Sequence, residues 1–142
     1  MKLRIRRSDK EISLPAYHTP GAVALDCSVR EETTIPARGI GYAALNISIE
    51  PPHGHFILMT PRSSLHKRRL MFANGLAIFD EDYSGDNDEY KAILFNFTEQ
   101  EVVVARGAKV GQITVLPYEK IEWNEVETMG NKDRGGIGST GN

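Results

Sequence analysis

Along the chain, short apolar stretches are separated by turn residues, the pattern of short strands rather than of long helices. Leu3–Arg6 alternates apolar and charged positions. Val23–Ser28 and Thr33–Ile35 are short extended segments, and Gly41–Ile49 and His55–Thr60 are stronger ones, rich in Ile, Leu, Tyr and Phe. Leu76–Phe79, Tyr90–Phe97, Val102–Ala105, Val110–Leu116 and Lys120–Trp123 continue the series. Pro20-Gly21, Pro36–Gly39, Pro51-Pro52, Asp82–Asn87 and Arg106-Gly107 mark the turns between them. Short strands at this spacing predict an all-β sandwich or barrel. Ser63–Leu70 departs from the pattern and predicts one short helix of a turn or two, capped by Ser63 or Ser64. No repeat and no linker divides the chain, so one domain is expected.

Composition narrows this picture without changing it. With 142 residues, 40% hydrophobic and 25% charged, the chain is long enough for a real core. A net charge of −2 gives no reason to expect nucleic acid as a partner. Lys2, Arg4, Arg6 and Arg7 alternate with Leu3 and Ile5, which reads as a solvated strand face rather than a basic arm. Cys27 is the single cysteine, so an intrachain disulfide is impossible and a reducing compartment is the simpler assumption. The first residues lack the apolar core of a secretory signal, and no run approaches the roughly 18 apolar residues of a membrane helix. The expectation is a cytoplasmic protein with no membrane partner.

Several segments carry possible chemistry. The stretch Lys132–Asn142 holds glycines at 135, 136, 138 and 141, with Arg134 before them and Ser139 and Thr140 among them. Glycine amides, a guanidinium and hydroxyls suit a phosphate, although the same composition also makes a plain polar tail. Pro61-Arg-Ser-Ser-Leu65 joins a strand to the predicted helix, so Arg62, Ser63 and Ser64 would converge at a helix start where an anion binds, or simply cap it. Asp80-Glu-Asp-Tyr-Ser-Gly85 follows an apolar run and can position a water, hold a metal or make a polar turn. A calcium loop starting at Asp80 fails because its twelfth position is Lys91 where a bidentate Glu is required. Asp86–Glu89 reads as a solvated acidic turn. His53 and His55 lack an evident third zinc ligand and read as surface histidines.

Taken in order, these segments resemble the trimeric dUTPase family, deoxyuridine triphosphate nucleotidohydrolases marked by five short motifs. Gly21–Ser28 is similar to the first motif, Pro61–Leu65 to the second and Asn74–Gly85 to the third, Gly-Val-Ile-Asp-x-Asp-Tyr-x-Gly. Lys109-Val-Gly-Gln-Ile113 is similar to the fourth, Arg-Ile-Ala-Gln-Leu, and the glycine-rich tail to the fifth. The resemblance covers residues 17 to 142. It implies a jelly-roll-like β-barrel subunit of the β-clip type, residues 1–128, followed by a flexible arm, 129–142, that closes over the active site. It implies a homotrimer with active sites between subunits. It implies hydrolysis of dUTP to dUMP and pyrophosphate, with Mg2+ carried on the triphosphate, which limits uracil in DNA and supplies dUMP for thymidylate synthesis.

Carried across by position, the resemblance implies that Asp80 activates the attacking water and that Tyr83 lies against the deoxyribose. Asn74, Ala77 and Ile78 would read uracil. Arg62, Ser63, Ser64 and Gln112 would bind phosphates, as would Arg134, Gly138 and Ser139 of the arm. Asp26 would help hold Mg2+ through water. The chain departs from the family where Ile137 replaces an aromatic that stacks on uracil, where Ala77 and Ala24 replace glycines, and where the arm before Ile137 is shorter. The Asp82–Lys91 turn is longer by about three residues, mostly acidic. Two other readings stay open: a catalytically weak or inactive nucleotide-binding protein of the same fold, and a deoxycytidine triphosphate deaminase. The deaminase needs a catalytic Glu on the strand after the third motif, and Lys91–Asn96 carries no carboxylate.

Overall fold

The computed structural model of the chain describes residues 1–136. Eleven strands pair in sequence-distant, antiparallel fashion, as a jelly-roll-like barrel requires. The four-stranded sheet runs β2 (Leu25–Ser28), β11 (Lys109–Pro117), β6 (His55–Pro61), β8 (Ala77–Phe79). The three-stranded sheet runs β4 (Ile40–Ala44), β9 (Lys91–Asn96), β7 (Leu70–Phe72). Two ribbons complete the body, β1 (Arg4–Arg7) with β5 (Ile47–Glu50) and β3 (Thr33–Ile35) with β10 (Val102–Val104).

The alternation of side chains explains the layers. On β6, Ile57 and Met59 are fully buried while Leu58 and Thr60 are only half-buried. They meet Val29, Ile35, Leu45 and Leu94 in one apolar core. Burying each such aliphatic side chain stabilises the fold by about 1.5–3 kcal/mol. On β9, Ala92, Leu94 and Asn96 face inward. Ile93 and Phe95 face outward beside Tyr42, Ile40 and Met71, which lie directly across the ladder and are themselves exposed. This sheet is therefore apolar on both faces.

The sequence expectations hold for most strands and fail at identifiable places. Gly41–Ile49 is two strands, because Asn46 adopts φ +66 and turns the chain. Its side chain closes the corner by exchanging hydrogen bonds with the Asp9 backbone at 2.6 and 2.9 Å. The predicted helix is a single 3-10 turn, Leu65–Arg68, and Ser64 caps it without a side-chain bond. The Leu65 and Lys67 amides bond to the Arg62 and Ser64 carbonyls. The last residue of that segment, Leu70, opens β7, where buried Leu70 and Phe72 flank exposed Met71. Lys120–Trp123 forms no strand, and every residue from Glu119 to Gly136 is exposed.

Asp86–Glu89 is not a simple solvated turn either. Glu89 accepts from Arg30 Nε and from the Asn46 amide, both at 2.8 Å, while Ser48 Oγ donates to the Gly85 carbonyl at 2.6 Å. Among the described residues no helix is long and apolar enough to cross a membrane.

Candidate active site

The four-stranded sheet brings three of the sequence motifs together. Gln112 on β11 lies opposite Asp26 on one side and Thr60 of β6 on the other. Its amide nitrogen donates to the Pro61 carbonyl at 3.4 Å. Arg62 leaves the C-terminal end of β6 and places Nη2 3.1 Å from Asp26 Oδ2. Asp26 is 7% exposed, and Lys109 and His18 also approach the same oxygen, at 3.9 and 2.9 Å. Despite these cations, Asp26 Oδ2 receives no well-directed hydrogen bond. The contacts around it conflict. His18 Nε2 sits 2.6 Å from Lys109 Nζ. One nitrogen cannot both accept from the lysine and donate to the carboxylate. Ser63 and Ser64 stay exposed beside Arg62.

The third motif occupies the other end of the same sheet. β8 runs antiparallel to β6 with Ala77 opposite Met59, Ile78 opposite Leu58 and Phe79 opposite Ile57. Ile78 is 58% exposed, an unusual place for a branched apolar side chain unless something covers it. Asn74 lies exposed in the turn before β8, where Gly75 takes φ +73. Asp80 follows β8, and its carbonyl accepts from the Tyr83 amide at 3.1 Å, closing a turn over Asp80–Tyr83. Asp80 opens onto a cleft of about 660 Å3 shared with Phe56, Ile78, Glu81, Asp82 and Tyr118.

Tyr83 is steadied from behind. Its ring is 6.0 Å from Phe79 and 6.1 Å from Tyr90, and Phe79 and Tyr90 stack at 3.7 Å with a 2° interplanar angle. Tyr90 is fully buried, and its hydroxyl donates to the Ile49 carbonyl.

The two groups are not neighbours within one chain. Arg62 lies five residues beyond Ile57, the partner of Phe79, and Asp80 continues in the opposite direction. At about 3.3 Å per residue they stand roughly 17 Å or more apart along the sheet, farther than one triphosphate reaches. Arg134 is exposed. Ile137, Gly138 and Ser139 lie outside the described residues.

The sequence model of the dUTPase family matches residues 10–141. The chain belongs to the dUTPase family. A deoxyuridine 5'-triphosphate nucleotidohydrolase of Dictyoglomus turgidum is 36% identical, over 99% of each chain. Among dUTPases of known structure, that of Streptococcus mutans superposes with a TM-score of 0.76 at 26% identity, covering 84% of this chain and 98% of its own. A variant dUTPase from phage phi11 of S. aureus, solved to show the coordination of a structural Mg(II) ion, superposes at 0.80 with 15% identity over 91% and 99%.

Of the residues singled out in the sequence, Asp26 and Gln112 lie on strands β2 and β11, whereas Arg62, Asp80 and Tyr83 lie in the segments that follow β6 and β8. Sequence reasoning missed His18, which reaches Asp26, and the Glu81–Tyr118 contact on the cleft wall. His18 and Tyr118 belong to no motif, and Glu81 fills an unspecified position of the third, so only the folded chain joins them.

Proposed function

We propose that this chain hydrolyses dUTP to dUMP and pyrophosphate by attack of water on the α-phosphorus. The observation that carries the reading is the exposed Asp80 at the 660 Å3 cleft, directly after β8 and at the head of the Asp80–Tyr83 turn. A carboxylate so placed orients a water and accepts its proton as the bond to phosphorus forms. Tyr83, braced by Phe79, packs against the deoxyribose and leaves no room for a 2′-hydroxyl. Asn74, Ala77 and Ile78 form the uracil edge, and Ile78 is the apolar surface that the base covers. Arg62, Ser63, Ser64 and Gln112 take the phosphates, where charge neutralisation and positioning supply most of the catalysis. The arm, with Arg134, Ile137, Gly138 and Ser139, closes over the triphosphate.

Magnesium fits this arrangement. Among the described residues no cluster of three or more His, Cys, Asp or Glu forms a metal cage. Mg2+ keeps most of its waters and asks for one or two carboxylates plus substrate phosphates. Asp26, with an oxygen lacking a directed partner, is such a carboxylate. When bound, the metal would offset the charge of the triphosphate, and Asp26 would help hold it through water.

The working unit is a homotrimer. Arg62 and Asp80 of one chain are too far apart to serve one nucleotide, so a second copy must bring them together. The apolar outer face of β4–β9–β7, with Tyr42, Ile40 and Met71 exposed, is a surface that demands a partner. Sedimentation equilibrium should give about three times 15.8 kDa.

The test of the activity is incubation with each deoxynucleoside triphosphate, and with UTP, in the presence of Mg2+ while pyrophosphate is measured. Release from dUTP alone is expected. Ammonia release from dCTP, or no turnover of any nucleotide, would overturn the reading.

A further inference from the structure

Glu81 stands between the two residues of the turn that carry the chemistry, yet its own side chain points away to a separate task. Its Oε2 accepts the Tyr118 hydroxyl at 2.6 Å and the Gly54 amide at 3.1 Å. Its Oε1 lies 2.7 Å from His53 Nδ1. The Tyr118 amide in turn donates to the Gly54 carbonyl at 2.9 Å. Three segments therefore converge on one carboxylate: the β5–β6 turn, the turn after β8, and the residue that follows β11. Glu81 is 30% exposed, whereas Asp80 and Asp82 on either side are exposed. The bonds from Tyr118, His53 and Gly54 hold its carboxyl down at about 2, so it stays ionised across the useful pH range.

A four-residue turn over water has many orientations, and a general base needs one of them. Asp80 receives no hydrogen bond from any side chain among the described residues, so nothing on its own side chain fixes it. What fixes the turn is the residue at its second position. We propose that Glu81 is a positioning residue for the reaction: anchored by Tyr118 and Gly54, it holds the Asp80–Tyr83 turn so that Asp80 faces the cleft before substrate arrives. This deepens the dUTP-hydrolysis reading and rests on it. Preorganisation of this kind lowers the barrier without adding a contact to substrate. It therefore acts on kcat and leaves KM alone.

The experiment compares Glu81→Gln and Tyr118→Phe, singly and together, with the unsubstituted protein in dUTP hydrolysis, thermal unfolding and amide exchange. Glu81→Gln should lower kcat about tenfold with KM within twofold and Tm within a few degrees. Tyr118→Phe, which removes one hydroxyl and is the milder variant, should lower kcat about fivefold. The double variant should be no worse than Glu81→Gln alone, because both break the same latch. The Tyr83 amide, bonded to Asp80, should exchange faster in both variants without nucleotide. Unchanged kcat in both, additive losses, or a kcat loss that disappears well below each variant's Tm would each overturn the assignment. The unsubstituted protein separates this from the parent reading, since failure there means that dUTP is not the substrate at all.

Discussion

The two ends of strand β6 are built on opposite principles. At its C-terminal end Asp26 is buried and crowded by Arg62, Lys109 and His18, so the charges are assembled before any ligand arrives. At its N-terminal end Asp80 is exposed, beside an open cleft, and only Glu81 and the Phe79–Tyr90 stack give its turn a fixed frame. The first arrangement suits a site that must receive a highly charged triphosphate, because partly exposed cations around a buried carboxylate can turn from that carboxylate to an incoming anion. The second suits a site that must admit water as a reactant. The difference teaches that binding charge and chemical step are invested in separate pieces of structure, each stabilised by its own contacts.

Substitutions should break this comparison along its seam. The largest effect belongs to Asp80→Asn, which keeps the shape and removes the base. Turnover should fall about 100-fold or more, while unfolding temperature and analogue binding stay near those of the parent. Near-normal turnover would remove Asp80 from the mechanism. Arg62→Ala should instead act on both binding and folding. It raises KM and, by leaving buried Asp26 short of a cation, costs about 1–3 kcal/mol of stability, read as a lower Tm. If Tm is unchanged, the Asp26 cluster is not the preassembled charge site described here.

A smaller effect is expected at Tyr83. Shrinking it to Ala removes the wall against ribose, and activity on UTP relative to dUTP should rise by about tenfold, measured as the ratio of kcat/KM values. The smallest is a matter of pH. Glu81 has a folded-state value near 2 against an ordinary 4.5, with the Tyr118 hydroxyl as the main cause. A depressed carboxylate contributes stability that is fully present above its unfolded value and is lost as pH falls through its folded value. Unfolding curves should therefore weaken between about pH 4.5 and 2, and Glu81→Gln should flatten that portion. Identical acid limbs for both proteins would contradict the latch.

Much of the fold was legible because strands that face a core are short apolar runs bounded by turn residues. Thr33–Ile35 is a strand as read, and β6, β9 and β11 differ from their expected bounds by one residue or so at each end. The illegible parts share one physical cause, which is distance along the chain. β7 was missed, its first residue Leu70 assigned to the helix expected over Ser63–Leu70 and Met71-Phe72 to no element. Only pairing with β9, far downstream, makes Leu70–Phe72 extended. Asn46 breaks Gly41–Ile49 through bonds to Asp9, 37 residues away. At the site, the motif residues were readable from their resemblance to a family. The Tyr118–Glu81 contact was not, since the two are 37 residues apart, Tyr118 lies outside every motif and Glu81 stands at a variable position of one. Cys27 could be placed only as a lone thiol. It is fully buried, and that burial pushes its pKa up to about 12, so it is inert.

The separation of Arg62 from Asp80 along β6 has a genetic consequence. A nucleotide served by one chain's arginine and another chain's aspartate is indifferent to whether either chain is whole. Chains carrying Asp80→Asn and chains carrying Arg62→Ala, each silent alone, should regain activity when coexpressed, because roughly a quarter of the sites in randomly mixed trimers combine an intact copy of both. Two recessive lesions in one gene would then complement each other, with no recombination between them.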